Sequence, residues 1–213
     1  MSSLNKTVLI IGAGGHASVF VDTLRKQDYR IAGLVARDKP ADHPIFEGLR
    51  WFSADEDVLS FNTGNIMLVN AIGSLPGQDV RFNVFNRFKE LGYKFATIIS
   101  PNAIVSSYAV LGEGVQVMPG AIVNANAHIG DNSIINTGVI VEHDCHVGSH
   151  NHLAPGAVMC GGVKTESHVH IGTGSNVIQG IHIGEHTVVG AGSTVTKDLE
   201  RNKTLYVAKP FLR

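Results

Sequence analysis

Two short stretches of this chain hold residue types that do chemistry. Val141-Glu142-His143-Asp144-Cys145 sets an imidazole beside a carboxylate. Histidine titrates near working pH, so it takes a proton from an attacking group better than other side chains do. A neighbouring carboxylate fixes its tautomer and stabilises the imidazolium. Attack by an amine on a thioester needs such a base, because the ammonium form must lose a proton before its nitrogen attacks. No covalent intermediate is required, so neither Cys145 nor Cys160 has to act as a nucleophile.

The second stretch is Gly12-Ala13-Gly14-Gly15-His16, just after the apolar run Val8-Leu9-Ile10-Ile11. Gly12, Gly14 and Ala17 match G-x-G-x-x-A between a strand and a helix. Such a turn offers free backbone N–H groups and a positive helix end to a phosphate. The motif by itself does not say which phosphate. An NAD site fails on two counts: the second strand ends in Val35-Ala36-Arg37, with no acid for the ribose, and about 100 residues hold only half of a dinucleotide fold. A nucleotide-sugar diphosphate fits better. A turn whose glycines are purely structural is the remaining reading.

The elements around this turn read as alternating strand and helix, hence a small parallel sheet. Strands are expected at Lys6–Ile11, Ile31–Val35, Ile66–Asn70 and Lys94–Ile99, with a helix at Ala17–Lys26. A second helix, from about Gln78 to Glu90, would place Val80, Val84, Phe88 and Leu91 on one stripe.

A repeat positions His143. From Ala103 to Asp198 the chain divides without insertion into sixteen hexads. The third position is Val, Leu, Ile or Met in fifteen of them, Thr165 being the exception. The first position is small or β-branched except at Asn151, and the fourth is Gly in six. A period of six does not suit a helix, whose apolar residues recur every 3.6 positions. It suits a short strand and a turn: one inward side chain per flat face, then a corner eased by Gly or Asn at positive φ. Three hexads close a triangular coil, and coils stacked about 4.8 Å apart give a prism of about five coils, roughly 25 Å long. Cys145, at a first position, points inward, and both cysteines read as structural.

Composition agrees with two differently built regions joined near Ser100-Pro101. Fifteen of 24 glycines and nine of eleven histidines lie between residues 103 and 198, but only two of 17 Lys and Arg, Lys164 and Lys197. The whole chain is 44% apolar and 16% charged with a net charge of −1, which excludes a disordered chain and gives no field to hold nucleic acid or an anionic bilayer. No apolar run reaches a membrane span, and the start is too short of apolar residues for a signal core, so a soluble, cytoplasmic protein is expected.

The three-hexad coil sorts the histidines. His128, His146 and His182 share a column with Lys164; His152 and His170 share another, and His150, His168 and His186 a third. Most read as polar ladders. The γ-class carbonic anhydrases hold zinc on a similar prism with an H-x₄-H pair, and no two histidines here are five apart. A non-catalytic solenoid that only binds a partner would not need His143-Asp144 or a phosphate turn.

The Gly-Ala-Gly-Gly-His turn, the half-Rossmann region and the hexads around His143 together resemble the NeuD/PglD-type sugar acyltransferases of the hexapeptide-repeat class, over essentially the whole chain. Among these it looks most like the N-acetyltransferases of the UDP-N-acetylbacillosamine pathway. The resemblance implies an α/β N-terminal half-Rossmann domain over residues 1–100, a left-handed parallel β-helix over 101–198 and a tail over 199–213. It implies acetyl-CoA as cosubstrate, no metal, and a homotrimer with active sites between adjacent prisms. It makes His143 the general base, assisted by Asp144, an Asp where some relatives have the longer Glu. It puts His152 on the acetyl carbonyl and lets the N–H of Gly161 meet acetyl-CoA, with Lys209 of the tail beside the CoA nucleotide. Gly12, Gly14, Gly15, His16, Arg37 and Gly73 would hold the nucleotide sugar. The acceptor expected is the 4-amino group of a UDP-linked 4-amino-4,6-dideoxy-N-acetyl-hexosamine; sialic acid or another sugar O-acetylation, or a non-catalytic binding module, is the alternative.

Overall fold

The computed structural model describes residues 7–40 and 42–207. It has two compact units, Met1–Thr97 and Ile98–Arg213.

The first unit is a four-stranded parallel sheet. Strand β1 (Thr7–Ile11) pairs on one side with β2 (Arg30–Val35) and on the other with β4 (Met67–Asn70), and β3 (Trp51–Phe52) lies outside β2. Val8, Leu9 and Ile10 have no exposure, as expected of a central strand covered on both faces. Helix α1 (Gly15–Arg25) follows the glycine turn, and α2 (Val80–Glu90) follows β4.

Two expectations hold only in part in this unit. Of the expected stripe of α2, Phe88 is buried and Val84 packs against the core, while Val80 and Leu91 are 54% and 47% exposed and the buried face also carries Arg81 and Phe85. Both stripes have helical spacing and share Phe88, which meets Tyr93 at 5.8 Å between ring centroids; Phe85, which meets Phe95 at 4.6 Å, decides between them. Arg81 can join them because its guanidinium donates to the carbonyls of Asn70 (2.5 Å) and Ile72 (2.9 Å). Burial lowers the Arg81 pKa to about 9. The segment expected as a fourth strand, Lys94–Ile99, is divided. Phe95 bridges Leu68 in the first unit, whereas Ile98–Ile99 pairs with Gln116–Val117 in the second.

The second unit is a prism of two-residue parallel strands paired with the strand eighteen residues on, as in His128↔His146, Ile134↔His152 and Ile140↔Val158, except for the final pair Val188↔Thr204, sixteen apart. Three sheets form its sides: sheet I has seven strands, Ile98–Ile99 to Thr204–Leu205; sheet II six, Ile104–Val105 to Thr194–Val195; sheet III five, Val110–Leu111 to His182–Ile183. The third-position side chains and Cys145 fill the interior. Every sixth position from Gly114 to Gly192 has φ between 55° and 72°. The first-position N–H then closes on the fourth-position carbonyl, as in Ala121 to Met118 (3.2 Å), the geometry of a type II turn. Pro119 and Pro155 occupy its second residue, where proline is favoured.

The fourth-position glycines serve another purpose. None has left-handed φ, but a Cβ at Gly130 would lie 2.6 Å from the Gly148 carbonyl carbon, and at Gly172 2.5 Å from the Ala191 nitrogen. They let successive coils touch.

The two exceptions in the repeat explain each other. Asn151, buried, donates from Nδ2 to Thr165 Oγ1 (2.6 Å) and to the Glu166 carbonyl (2.9 Å), and its Oδ1 accepts from Val169 N (2.6 Å). Each buried polar atom of Asn151 thereby has a partner, which is the condition for keeping it inside.

Candidate active site

His143 and Asp144 form the corner between Ile140–Val141 of sheet II and His146–Val147 of sheet III. Asp144 is a sixth-position residue with φ 59°, and this turn carries its carboxylate to the preceding imidazole. The His143 Nδ1 to Asp144 Oδ2 distance is 2.7 Å, so the shorter aspartate reaches. The other carboxylate oxygen, Oδ1, accepts from Asn126 Nδ2 at 3.2 Å, one coil earlier. The hydrogen bond to Asp144 raises the His143 pKa above its ordinary value; the same bond, and then that from Asn126, hold the Asp144 carboxyl below the usual range. Both side chains stand more than half exposed at the corner. Gly161 stacks over His143 one coil later, and its N–H makes no hydrogen bond among the described residues.

His152 lies on sheet I, away from that corner. A single prism therefore brings His143, Asp144 and Gly161 together and leaves His152 on another side. The Asn136 side chain faces it: Asn136 Oδ1 accepts from Thr137 N (2.8 Å), which turns its Nδ2 toward His152 Nε2 at 3.0 Å. His170 stacks edge-on against His152 at 5.0 Å, its own pKa lowered by burial. Lys209 lies outside the described residues.

In the first unit the carboxyl ends of β1 and β2 open into a cleft of about 550 Å³ lined by Gly12, Arg37, Ser53, Glu56, Ile72 and Arg87 among others. Ligands of open α/β sheets bind at this edge. Gly12 has φ 116°, and a Cβ there would lie 2.8 Å from the Ala71 carbonyl oxygen. Gly14, at the N-cap of α1, has φ −90°, and a Cβ there or at Gly15 would meet nothing within 4 Å. Only Gly12 is glycine for the fold's sake. His16 packs edge-on against Phe20 in the first turns of α1, and Gly73 follows the lining residue Ile72. Gly12 and Arg37 thus share the cleft, while Gly14, Gly15, His16 and Gly73 are not among the residues that line it.

The motif did not reveal the cleft's acidic side. Arg87 of α2 binds Asp55 (3.1 Å) and Glu56 (2.9 Å), and no spacing rule joins residues so far apart in sequence. Among the described residues no group of three or more His, Cys, Asp or Glu could hold a metal ion. No helix among them is long and apolar enough to cross a membrane.

A phosphate-type glycine turn in a parallel sheet, followed in the same chain by a hexapeptide prism with a His–Asp pair at a corner, defines an acyl-transferring class. The PglD N-terminal domain matches residues 7–88, the bacterial transferase hexapeptide (six repeats) matches 108–143 and 126–161, and the hexapeptide repeat of succinyl-transferase matches 162–197. Perosamine N-acetyltransferase from Caulobacter crescentus, solved as a histidine-to-asparagine mutant with CoA and GDP-perosamine, is 35% identical over 95% of both chains, with a TM-score of 0.84. The acetyltransferase domain of PglB from Neisseria gonorrhoeae, solved with acetyl coenzyme A, is 27% identical over 94% of this chain and 95% of that one, with a TM-score of 0.85. UDP-N-acetylbacillosamine N-acetyltransferase of Bacillus subtilis (strain 168) is 37% identical over 115 residues, 53% of this chain and about half, 51%, of that protein. The chain belongs to the PglD-type sugar acetyltransferases, with an α/β half-Rossmann domain followed by a left-handed parallel β-helix.

Proposed function

We propose that this protein transfers the acetyl group of acetyl-CoA to the amine of a nucleotide-linked amino sugar, with His143 as general base. The observation that carries this is the 2.7 Å bond from His143 Nδ1 to Asp144 at an exposed corner. A carboxylate can only accept, so the neutral ring keeps its proton on Nδ1 and its lone pair on Nε2. Nε2 takes a proton from the sugar amine as the nitrogen attacks the thioester carbonyl. The new C–N bond forms, the C–S bond breaks, and the CoA thiolate leaves with the proton returned by the imidazolium. Asp144 stabilises that imidazolium while it exists. In this reading His152 meets the acetyl carbonyl, and the Gly161 N–H, which makes no hydrogen bond among the described residues, supports a contact with acetyl-CoA.

Since His143 and His152 lie on different sides of one prism, a site that uses both is completed between copies, which supports a homotrimer. The sugar nucleotide belongs to the first unit's cleft, its diphosphate at the Gly12–His16 turn beside Arg37. The finer reading is a UDP-linked 4-amino-4,6-dideoxy-N-acetyl-hexosamine, acetylated at the 4-amino group in the cytoplasm. The name of the Bacillus relative supports UDP, while the Caulobacter relative binds GDP-perosamine. Free thiol released from acetyl-CoA, measured against a panel of UDP- and GDP-linked amino sugars, tests this. Release with the UDP-linked 4-amino sugar at the highest kcat/KM is expected; no release with any amino sugar contradicts the proposal.

A further inference from the structure

We propose that Gly161 and Asn126 are positioning residues that hold the His143 imidazole against Asp144 from the two neighbouring coils. The inference rests on the reading of His143 as the base, and extends it to residues one coil either side.

Gly161 is the only glycine at the fifth position of the sixteen hexads; the other fifteen carry side chains, Pro119, Thr137, Pro155 and Thr173 among them. Its turn does not demand glycine, because the left-handed residue there is Gly162, with φ 70°. What occupies the space is His143. A Cβ at Gly161 would lie 2.7 Å from both Cε1 and Nε2 of the imidazole and 3.4 Å from Cδ2. Contacts under 3.0 Å force something to shift, and since these atoms are the far end of an exposed side chain, the ring shifts and the backbone does not. Cε1 joins the two ring nitrogens, so the ring cannot turn away from such a Cβ without carrying Nδ1 off the Asp144 oxygen.

Asn126 acts from the coil before. Its amide holds Asp144 Oδ1 at 3.2 Å while His143 holds Oδ2 at 2.7 Å, so the carboxylate is tied at both oxygens and has one orientation. Asn126 stands at a sixth position with φ 60°. Eight of the sixteen hexads have glycine at this position, so glycine replaces Asn126 without backbone strain.

Two variants test the clamp. Gly161→Ala keeps the peptide N–H and enters a backbone conformation open to alanine, where loss of unfolded-chain freedom favours the fold. Its melting temperature should not fall, yet kcat should drop roughly tenfold or more, because a small misplacement of a reacting group is costly. The His143 ring, followed by NMR titration, should return toward the ordinary imidazole value near 6.5. Asn126→Gly should show the same changes to a smaller degree, roughly threefold to tenfold in kcat. An unchanged His143 titration in folded Gly161→Ala, whether or not the melting temperature falls, would overturn the proposal. The titration needs no turnover, which separates the two readings. A displaced ring with full activity would uphold the clamp and remove His143 as base.

Discussion

Asp144 acts on His143 through one hydrogen bond, and the sign of its effect on pH dependence follows from that bond. It raises the pKa of the imidazole, so His143 stays protonated to a higher pH than an isolated histidine, and the rate should rise with pH through a value above about 6.5. Asp144→Asn removes the charge that stabilises the imidazolium. Asparagine tolerates the left-handed turn, as Asn126 and Asn132 do at the same hexad position. The variant should therefore fold, lose kcat by roughly 10- to 10³-fold and shift its rising limb to lower pH. A pH–kcat profile with its limb unmoved would show that Asp144 does not act on the base. The same scale separates the glycines of the phosphate turn. Nothing in the chain needs Gly14 to be glycine, whereas Gly12 is pinned by its φ of 116° and by Ala71. Gly14→Val should raise KM for the sugar nucleotide at least tenfold, on the order of 1.4 kcal/mol, and leave KM for acetyl-CoA within about twofold. Equal loss for both substrates, or no loss in a well-folded variant, would take the turn out of the substrate site.

Elements differ in how openly the sequence declares them. The prism was legible because every hexad repeats one local geometry, and the aliphatic third positions mark its interior throughout. Even its exceptions had a local cause, Asn151 and Thr165 being partners inside it. The face of α2 was legible only in part, at Val84 and Phe88, because two stripes that share Phe88 have equal helical spacing. The choice between them lies with Phe95 and the Asn70 carbonyl, which belong to other elements. The division of Lys94–Ile99 escaped for a similar reason: an apolar run does not say which of two sheets each half will join. At the site, the adjacent pair His143-Asp144 could be read directly, while Asn126 and Gly161 gain meaning only once the coil length is known. The sheet I element carries a prediction of its own. Burial lowers the His170 pKa, so the unfolded chain takes up the proton first on acidification. The stability of keeping this ring neutral is present above its unfolded value, about 6.5, and is lost as pH falls toward the folded value. Melting temperature should fall between about pH 7.5 and pH 5.5, and His170→Val should flatten part of that fall. Equal slopes for the two proteins would exclude His170 as a cause.

The whole molecule must assemble for this chemistry if one copy supplies His143 and another His152. Light scattering should give a homotrimer, three times 22.7 kDa. His143→Ala and His152→Ala, each impaired alone, should regain activity when unfolded together and refolded as a mixture, because mixed trimers hold sites with both histidines intact. No recovery in well-formed mixed trimers would place the two residues in one copy's site or remove one of them from catalysis. The His143→Ala homotrimer, the control in that experiment, is also the most direct test of the central claim. Its kcat for acetyl transfer to the amino sugar should fall by roughly 10²- to 10⁴-fold while acetyl-CoA binding changes little. A variant that keeps a tenth of the wild-type kcat would contradict the assignment of His143 as the base.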